Sequence, residues 1–179
     1  MTHRATSEIL TRARAIRLIL MDCDGVLTDG RIILLPNGDE IKNFHVLDGQ
    51  GVALAREAGL RVGVISGRRS SVLERRAAEN QIDFLVQGAE DKPAAYRSIV
   101  EQAELADEQV AFIGDDLPDI PLMRRAGFAV AVQTAVEEVK AVAQLVTSRA
   151  GGDGAVREAI EFILKAQSRW ESVLSRYNR

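Results

Sequence analysis

Five short apolar runs, at 16–21, 60–65, 84–86, 110–113 and 128–132, are each bounded by charged or turn-forming residues. Their apolar character is nearly continuous rather than alternating, which marks strands covered on both faces. Between them lie stretches with helix-start residues and helical spacing, at 52–58, 70–80, 93–103 and 118–125. Ser70, Pro93 and Pro118 stand where a helix would open.

Strands of this kind alternating with helices predict an α/β fold, a Rossmann-like parallel sheet with helices on both faces. Ligands in such sheets bind beyond the carboxyl ends of the strands. One insertion interrupts the alternation. Residues 31–45 hold an apolar stretch, the turn sequence Pro36-Asn37-Gly38-Asp39 and a second strand-like stretch, which predicts a β-hairpin directly after the first strand. Near the end, Val156, Ile160, Ile163, Leu164 and Ala166 predict a helix over 155–170. Gly151-Gly152-Asp153-Gly154 precedes it, so a glycine hinge between helix and body is expected. At 6–17, arginines interleave with Ile9, Leu10, Ala13 and Ile16, an amphipathic pattern open to two readings: a helix packed on the domain or a targeting segment.

A length of 179 residues suits a single domain, 1–179, that can bury a core without disulfides or structural metal. A net charge of -3 lacks the broad positive field that non-specific nucleic-acid binding requires, so no nucleic-acid partner is expected. No apolar run approaches the roughly 20 residues of a membrane span. The single cysteine, Cys23, cannot close an intramolecular disulfide, which fits a reducing cytoplasm.

The candidate chemistry clusters at the strand ends. Residues 18–30, LILMDCDGVLTDG, present Asp22 and Asp24 two positions apart and so on one side. Paired carboxylates repel unless a cation or a proton intervenes. With Mg²⁺ present, Asp22 can attack phosphorus while a protonated Asp24 donates to the departing oxygen. A solvated Asp-Gly turn accounts equally for this stretch taken alone. The second strand ends in Ser66-Gly67-Arg68, where a hydroxyl and free amides suit a phosphate oxygen or, more plainly, a helix cap. Lys92, between Asp91 and Pro93, sits in the first turn of a helix and could neutralise phosphate charge. In the stretch AFIGDDLPDIPLM, Asp115 and Asp116 end a strand and Asp119 follows one turn later. Capping explains Asp116 or Asp119 but leaves Asp115 crowded, whereas a hard divalent cation with oxygen ligands accounts for the cluster. Cys23 is no rival nucleophile, because a cysteine-phosphatase loop needs arginine six positions later, where Asp29 stands.

In their order and placement these four elements resemble the haloacid dehalogenase superfamily over nearly the whole chain. The resemblance implies that Asp22 is the nucleophile and a Mg²⁺ ligand, and that Asp24 is the acid/base and binds metal through its backbone carbonyl. It further implies that Ser66 and Lys92 hold the phosphoryl group and that Asp115 completes the protein ligands, with Asp116 and Asp119 in support. An acid at Asp24 selects phosphatase or phosphotransfer chemistry. Most members carry a cap domain between these motifs, and this chain has room for none. The blocks KNFHVLDGQG at 42–51, VISGR at 64–68 and GGDGAVRE at 151–158 resemble the capless 3-deoxy-D-manno-octulosonate 8-phosphate phosphatases, over residues 12–168. That likeness implies a cytoplasmic homotetramer in lipopolysaccharide precursor synthesis, its hairpins joined in a central barrel and its active sites covered by neighbouring C-terminal segments. Asp153 departs from the arginine frequent at that place in the family block. Thr28, Arg68, Arg75 and Arg157 are candidate contacts for a substrate that bears a carboxylate and hydroxyls besides its phosphate. The alternatives are a phosphatase for a nonulosonate 9-phosphate, a phospho-aspartate receiver domain, or a catalytically silent assembly module.

Overall fold

The computed structural model describes residues 7–177. Its sheet has six parallel strands: β1 (Leu18–Met21), β4 (Arg61–Ser66), β5 (Phe84–Gln87), β6 (Val110–Gly114), β7 (Phe128–Ala131) and β8 (Leu145–Val146). They lie in the order β5-β4-β1-β6-β7-β8. Every residue of β1 is buried, as expected of the innermost strand. It pairs with β4 from Leu18↔Arg61 and with β6 from Leu18↔Val110. The chain builds outward from β1 on one side, then returns to build on the other. The strand order therefore reverses beside β1, and the crevice at such a switch point is where an open sheet binds ligands. All five expected strands form. The two-residue β8 adds a sixth that no apolar run announces.

The helices are α1 (Ser7–Ala15), α2 (Val46–Glu57), α3 (Ser71–Glu79), α4 (Lys92–Gln102), α5 (Ile120–Arg125), α6 (Glu137–Lys140), α7 (Ala155–Ala166) and α8 (Trp170–Leu174). Right-handed crossovers put α2 and α3 on one face and α4 and α5 on the other. Helices α1 and α2 both pack against α7, so the N-terminal helix is seated on the domain. Its Arg14 Nε donates to the carbonyl of Ala166 at 3.0 Å. No described helix is long and apolar enough to cross a membrane.

Three expectations are corrected. Helix α2 begins at Val46, six residues before the expected start, because His45 caps it through its ring nitrogen and Asp48 lies in its first turn. Gly49 and Gly51 obscured that start. Gly51 lets the two helices approach closely, since a Cβ there would stand 3.0 Å from the Cα of Arg157 where α2 crosses α7. The expected single C-terminal helix is two, broken by Ser168 at φ 57. Finally, the glycines at 151–154 are a packing seam rather than a hinge. A Cβ on Gly151 would fall 1.7 Å from the carbonyl oxygen of Gly25, and one on Gly152 2.4 Å from the backbone at Thr28 and Asp29. Gly152 N–H donates to Val26 O at 3.0 Å, and Gly154 N–H to Asp48 Oδ2 at 3.2 Å. Beyond the seam α7 buries Val156, Ala159, Ile160, Ile163 and Leu164 in the core.

The hairpin is reduced to β2 (Ile33–Leu34) and β3 (Glu40–Ile41), antiparallel with Ile33 opposite Ile41. Gly38, at φ +89, makes the turn, and Asn37 Oδ1 accepts the Asp39 N–H. Ile32, Ile33, Leu34, Leu35 and Ile41 all remain exposed, Leu34 at 68%.

Candidate active site

The strand ends beside the switch point deliver the carboxylates. Asp22 follows β1, and its N–H donates to Ile113 O on β6 at 3.1 Å, which fixes the two strand ends relative to each other. Asp115 follows β6. The chain then turns through Leu117–Asp119, whose 3₁₀ geometry brings Asp119 back under the strand end. Asp119 is 1% exposed, and its Oδ2 accepts the Asp115 N–H at 3.0 Å. A Cβ on Gly114 would stand 2.7 Å from that of Asp119, so this return needs glycine. One carboxylate oxygen from each of Asp22, Asp115 and Asp119 lies within 4.8 Å of the others.

Lys92, the first residue of α4, reaches into the cluster. Its Nζ lies 3.0 Å from Asp22 Oδ1 and 2.8 Å from Asp119 Oδ1. Burial by itself would lower the ammonium pKa, but the two carboxylates together outweigh it and hold the pKa above its ordinary value. One cation among three carboxylates leaves an excess of negative charge. Burial and then the neighbouring Asp119 push Asp22 up to about 6, against the opposing pull of Lys92. Burial, Asp119 and Asp22 push Asp115 up to about 7. Asp115 Oδ1 is buried with no hydrogen-bond partner. An all-oxygen donor set, excess negative charge and an orphaned acceptor fit a hard divalent cation.

The same shifts fix how stability depends on pH when metal is chelated. Both folded values exceed the ordinary 3.8, so between about pH 4 and 7 the folded state holds protons that the unfolded chain releases. Stability is therefore greatest in the lower part of that range and falls as pH rises through it. Thermal melts in chelator should show this decline, and the increase in Tm on adding Mg²⁺ should grow from pH 5 to pH 8. A metal-induced increase that is constant across that range would show that the cation does not sit among these carboxylates.

A cleft of about 490 Å³ opens beside Lys92 and is lined by Asp22, Asp24, Ser66, Arg68 and Pro118, among others. Ser66, at the end of β4, is 2% exposed, and its Oγ accepts the Arg68 N–H at 3.3 Å. Asp24 lies outside that group of three carboxylates and pairs with a residue that no sequence motif singled out, the ammonium of Lys42, whose side chain is 3% exposed. Arg68 Nη2 donates to Glu40 Oε2 at 2.9 Å. The buried Cys23 thiol is pushed far up by burial and by Asp24, and so is inert.

Other expected site residues lie elsewhere. Thr28 is 1% exposed, and its hydroxyl oxygen accepts the N–H groups of Gly25 at 3.3 Å and Gly30 at 3.2 Å. It clamps the loop of Asp22 and Asp24 from inside. Arg157 is bound by Glu161 at 2.7 Å, lies over the Trp170 ring at 5.5 Å and borders a separate cleft with Leu47 and Arg149. Arg75 is exposed on α3, in a groove of about 670 Å³ beneath the hairpin that meets the Asp22 cleft at Arg68. Asp116 is exposed and caps the 3₁₀ turn, its Oδ1 accepting the Leu117 N–H at 2.8 Å. Of the two carboxylates left open by the sequence, Asp119 thus joins the cluster. Asp153 Oδ1 stands 3.6 Å from His45 Nε2.

A family model described as haloacid dehalogenase-like hydrolase matches residues 54–160. The 3-deoxy-D-manno-octulosonate 8-phosphate phosphatase of Salmonella typhi is 41% identical over 164 residues, 92% of this chain and 87% of that one. A crystal structure of the enzyme of that name from Yersinia pestis superposes with a TM-score of 0.90 at 42% identity, covering 92% of this chain and 89% of that one. The Moraxella catarrhalis enzyme, crystallised with a magnesium ion, a phosphate ion and a KDO molecule, gives 0.94 at 39% identity over 96% of this chain and 99% of that one.

Proposed function

The chain belongs to the haloacid dehalogenase-like hydrolases, and from that premise we propose that it hydrolyses 3-deoxy-D-manno-octulosonate 8-phosphate to the free sugar acid and phosphate, with Mg²⁺, in lipopolysaccharide precursor synthesis. The observation that carries the chemistry is the meeting of Asp22, Asp115, Asp119 and Lys92 at the ends of β1 and β6 and the start of α4, with Asp22 and Lys92 on the wall of one open cleft. The named relatives carry the substrate.

In the first step an Asp22 carboxylate oxygen attacks phosphorus and the bond from phosphorus to the sugar oxygen breaks. Asp24 gives that oxygen its proton. Lys92 and Ser66 hold the phosphoryl oxygens, the ammonium offsetting the charge that builds on them. In the second step Asp24, now ionised, takes a proton from water as the water attacks the phospho-aspartate. Phosphate departs and Asp22 is regenerated. Asp22, Asp115 and the carbonyl of Asp24, with Asp119 in support, would hold Mg²⁺, which supplies Lewis-acid neutralisation of the phosphoryl group. We assign the reaction to the cytoplasm, where the lone thiol stays reduced.

Phosphate release should favour the eight-carbon acid phosphate in kcat/KM over a nonulosonate 9-phosphate and hexose phosphates, and should vanish in chelator. A preference for the nine-carbon acid would keep the chemistry and change the substrate, whereas turnover undiminished by chelation would exclude the metal.

Without a cap, the cleft needs a cover from outside the subunit. The five exposed apolar side chains of the hairpin, with short unpaired strand edges, support association through it into a homotetramer. Light scattering should give a tetramer, and Leu34→Asp should yield smaller species with kcat/KM reduced about tenfold or more, a loss attributed to the missing cover. A wild-type monomer of full activity would exclude covering by a neighbour.

A further inference from the structure

Lys42 meets Asp24 from outside the four motifs. It follows β3 and meets Asp24 across 18 positions of sequence, its Nζ paired with Asp24 Oδ1. Glu40 Oε1 lies 3.8 Å from the same Nζ and is itself buried without a hydrogen bond. The other Glu40 oxygen takes Arg68 Nη2 at 2.9 Å. Alternating charges thus run Asp24, Lys42, Glu40, Arg68, the two ends of the row lining the cleft and the middle two lying at the base of the hairpin. A buried ammonium is costly unless its partners are fixed around it, so Lys42 is held tightly in place. An immobile ammonium in turn fixes the carboxylate that it holds. The Asp24 side chain is 20% exposed and has two rotatable bonds, and among the described residues Lys42 is the one side chain that holds it.

We infer that Lys42 is a positioning residue for Asp24, holding its carboxylate at the lip of the cleft, and that Glu40 keeps Lys42 in register. The hairpin thereby sets the geometry of the acid/base besides presenting an apolar face. This role of Lys42 rests on the reaction proposed above, in which Asp24 serves the departing oxygen.

The test compares Lys42→Met and Lys42→Arg with wild type on the sugar-acid phosphate, a simple alkyl phosphate and p-nitrophenyl phosphate, with thermal melts alongside. kcat/KM reports only steps up to departure of the alcohol, and nitrophenolate departs without needing a proton. Lys42→Met should lose about tenfold or more on both alkyl esters, the range of a displaced general acid, and about threefold or less on the aryl ester. Lys42→Arg should recover most of the loss. Equal losses on all three esters, or a loss confined to the sugar acid, would overturn the positioning role while leaving the reaction intact. If Lys42→Met fails to melt cooperatively, Glu40→Gln decides instead: it keeps Lys42 beside Asp24 and should show a smaller loss of the same selectivity, and a uniform loss overturns the role. A wild-type protein inactive on every ester overturns the reaction itself, and the role of Lys42 with it.

Discussion

Asp22→Asn abolishes phosphate release, to below about one part in 10⁴ of wild type, the scale seen when a nucleophile is removed, and at the same time stabilises the metal-free protein. An amide oxygen cannot form the phospho-aspartate, so the first step has no substitute route. The stabilisation follows from the same geometry. Asp22 is 9% exposed among two further carboxylates and one ammonium, and its raised pKa records what the folded state loses by ionising it. A neutral side chain removes that repulsion, a gain on the order of 1–3 kcal/mol at pH 8 in chelator. A coupled assay and a thermal melt on the same preparation read both effects. Retained turnover would sink the mechanism, and a lowered melting temperature in chelator would show that charge repulsion at Asp22 is not what limits the site.

Lys92→Met has the opposite signature in stability. The ammonium is the one cation within reach of Asp22 and Asp119 among the described residues, and the methionine leaves a cluster of three carboxylates without it. Breaking a buried ion pair from one side costs about 3–5 kcal/mol. Turnover should fall roughly 10²–10³-fold, the usual loss when a fixed donor to developing negative charge is removed. Mg²⁺ should recover much of the melting temperature and little of the turnover, because a cation restores neutrality without restoring a donor on the α4 side. If Mg²⁺ recovers activity to within about fivefold of wild type, on the same scale, Lys92 is an ion-pair partner and nothing more.

What the sequence made legible was whatever local pattern governs. The five long strands were visible because an apolar run with turn residues at each end has few alternatives. Asp22, Ser66, Lys92 and Asp115 were visible because each directly follows, ends or opens an element. Contacts made across the fold left no such trace. Lys42 reads as an ordinary charged residue of a hairpin until the chain brings it to Asp24. Thr28 and Arg157 were expected as contacts because a sugar acid offers a carboxylate and hydroxyls, a chemical ground that says nothing of placement; within the subunit Thr28 points into its own loop and Arg157 lies against Trp170. Asp119 was left level with Asp116, although four positions from Asp115 is about one helical turn and favours a shared side. The glycines at 151–154 misled most, since flexibility and close approach call for the same residue. Only the neighbour that a Cβ would strike tells them apart, and that neighbour is the loop after Asp24.

That seam also bears on how the chain comes into being. Translation delivers β1, the middle of the sheet, well before Gly151, Gly152 and α7. The loop that presents both aspartates finds its closing backbone partners only after every strand of the sheet has left the ribosome. The loop of Asp22 and Asp24 is therefore closed later than the sheet that carries it. A nascent chain, however well its first strands have formed, has yet to become an enzyme.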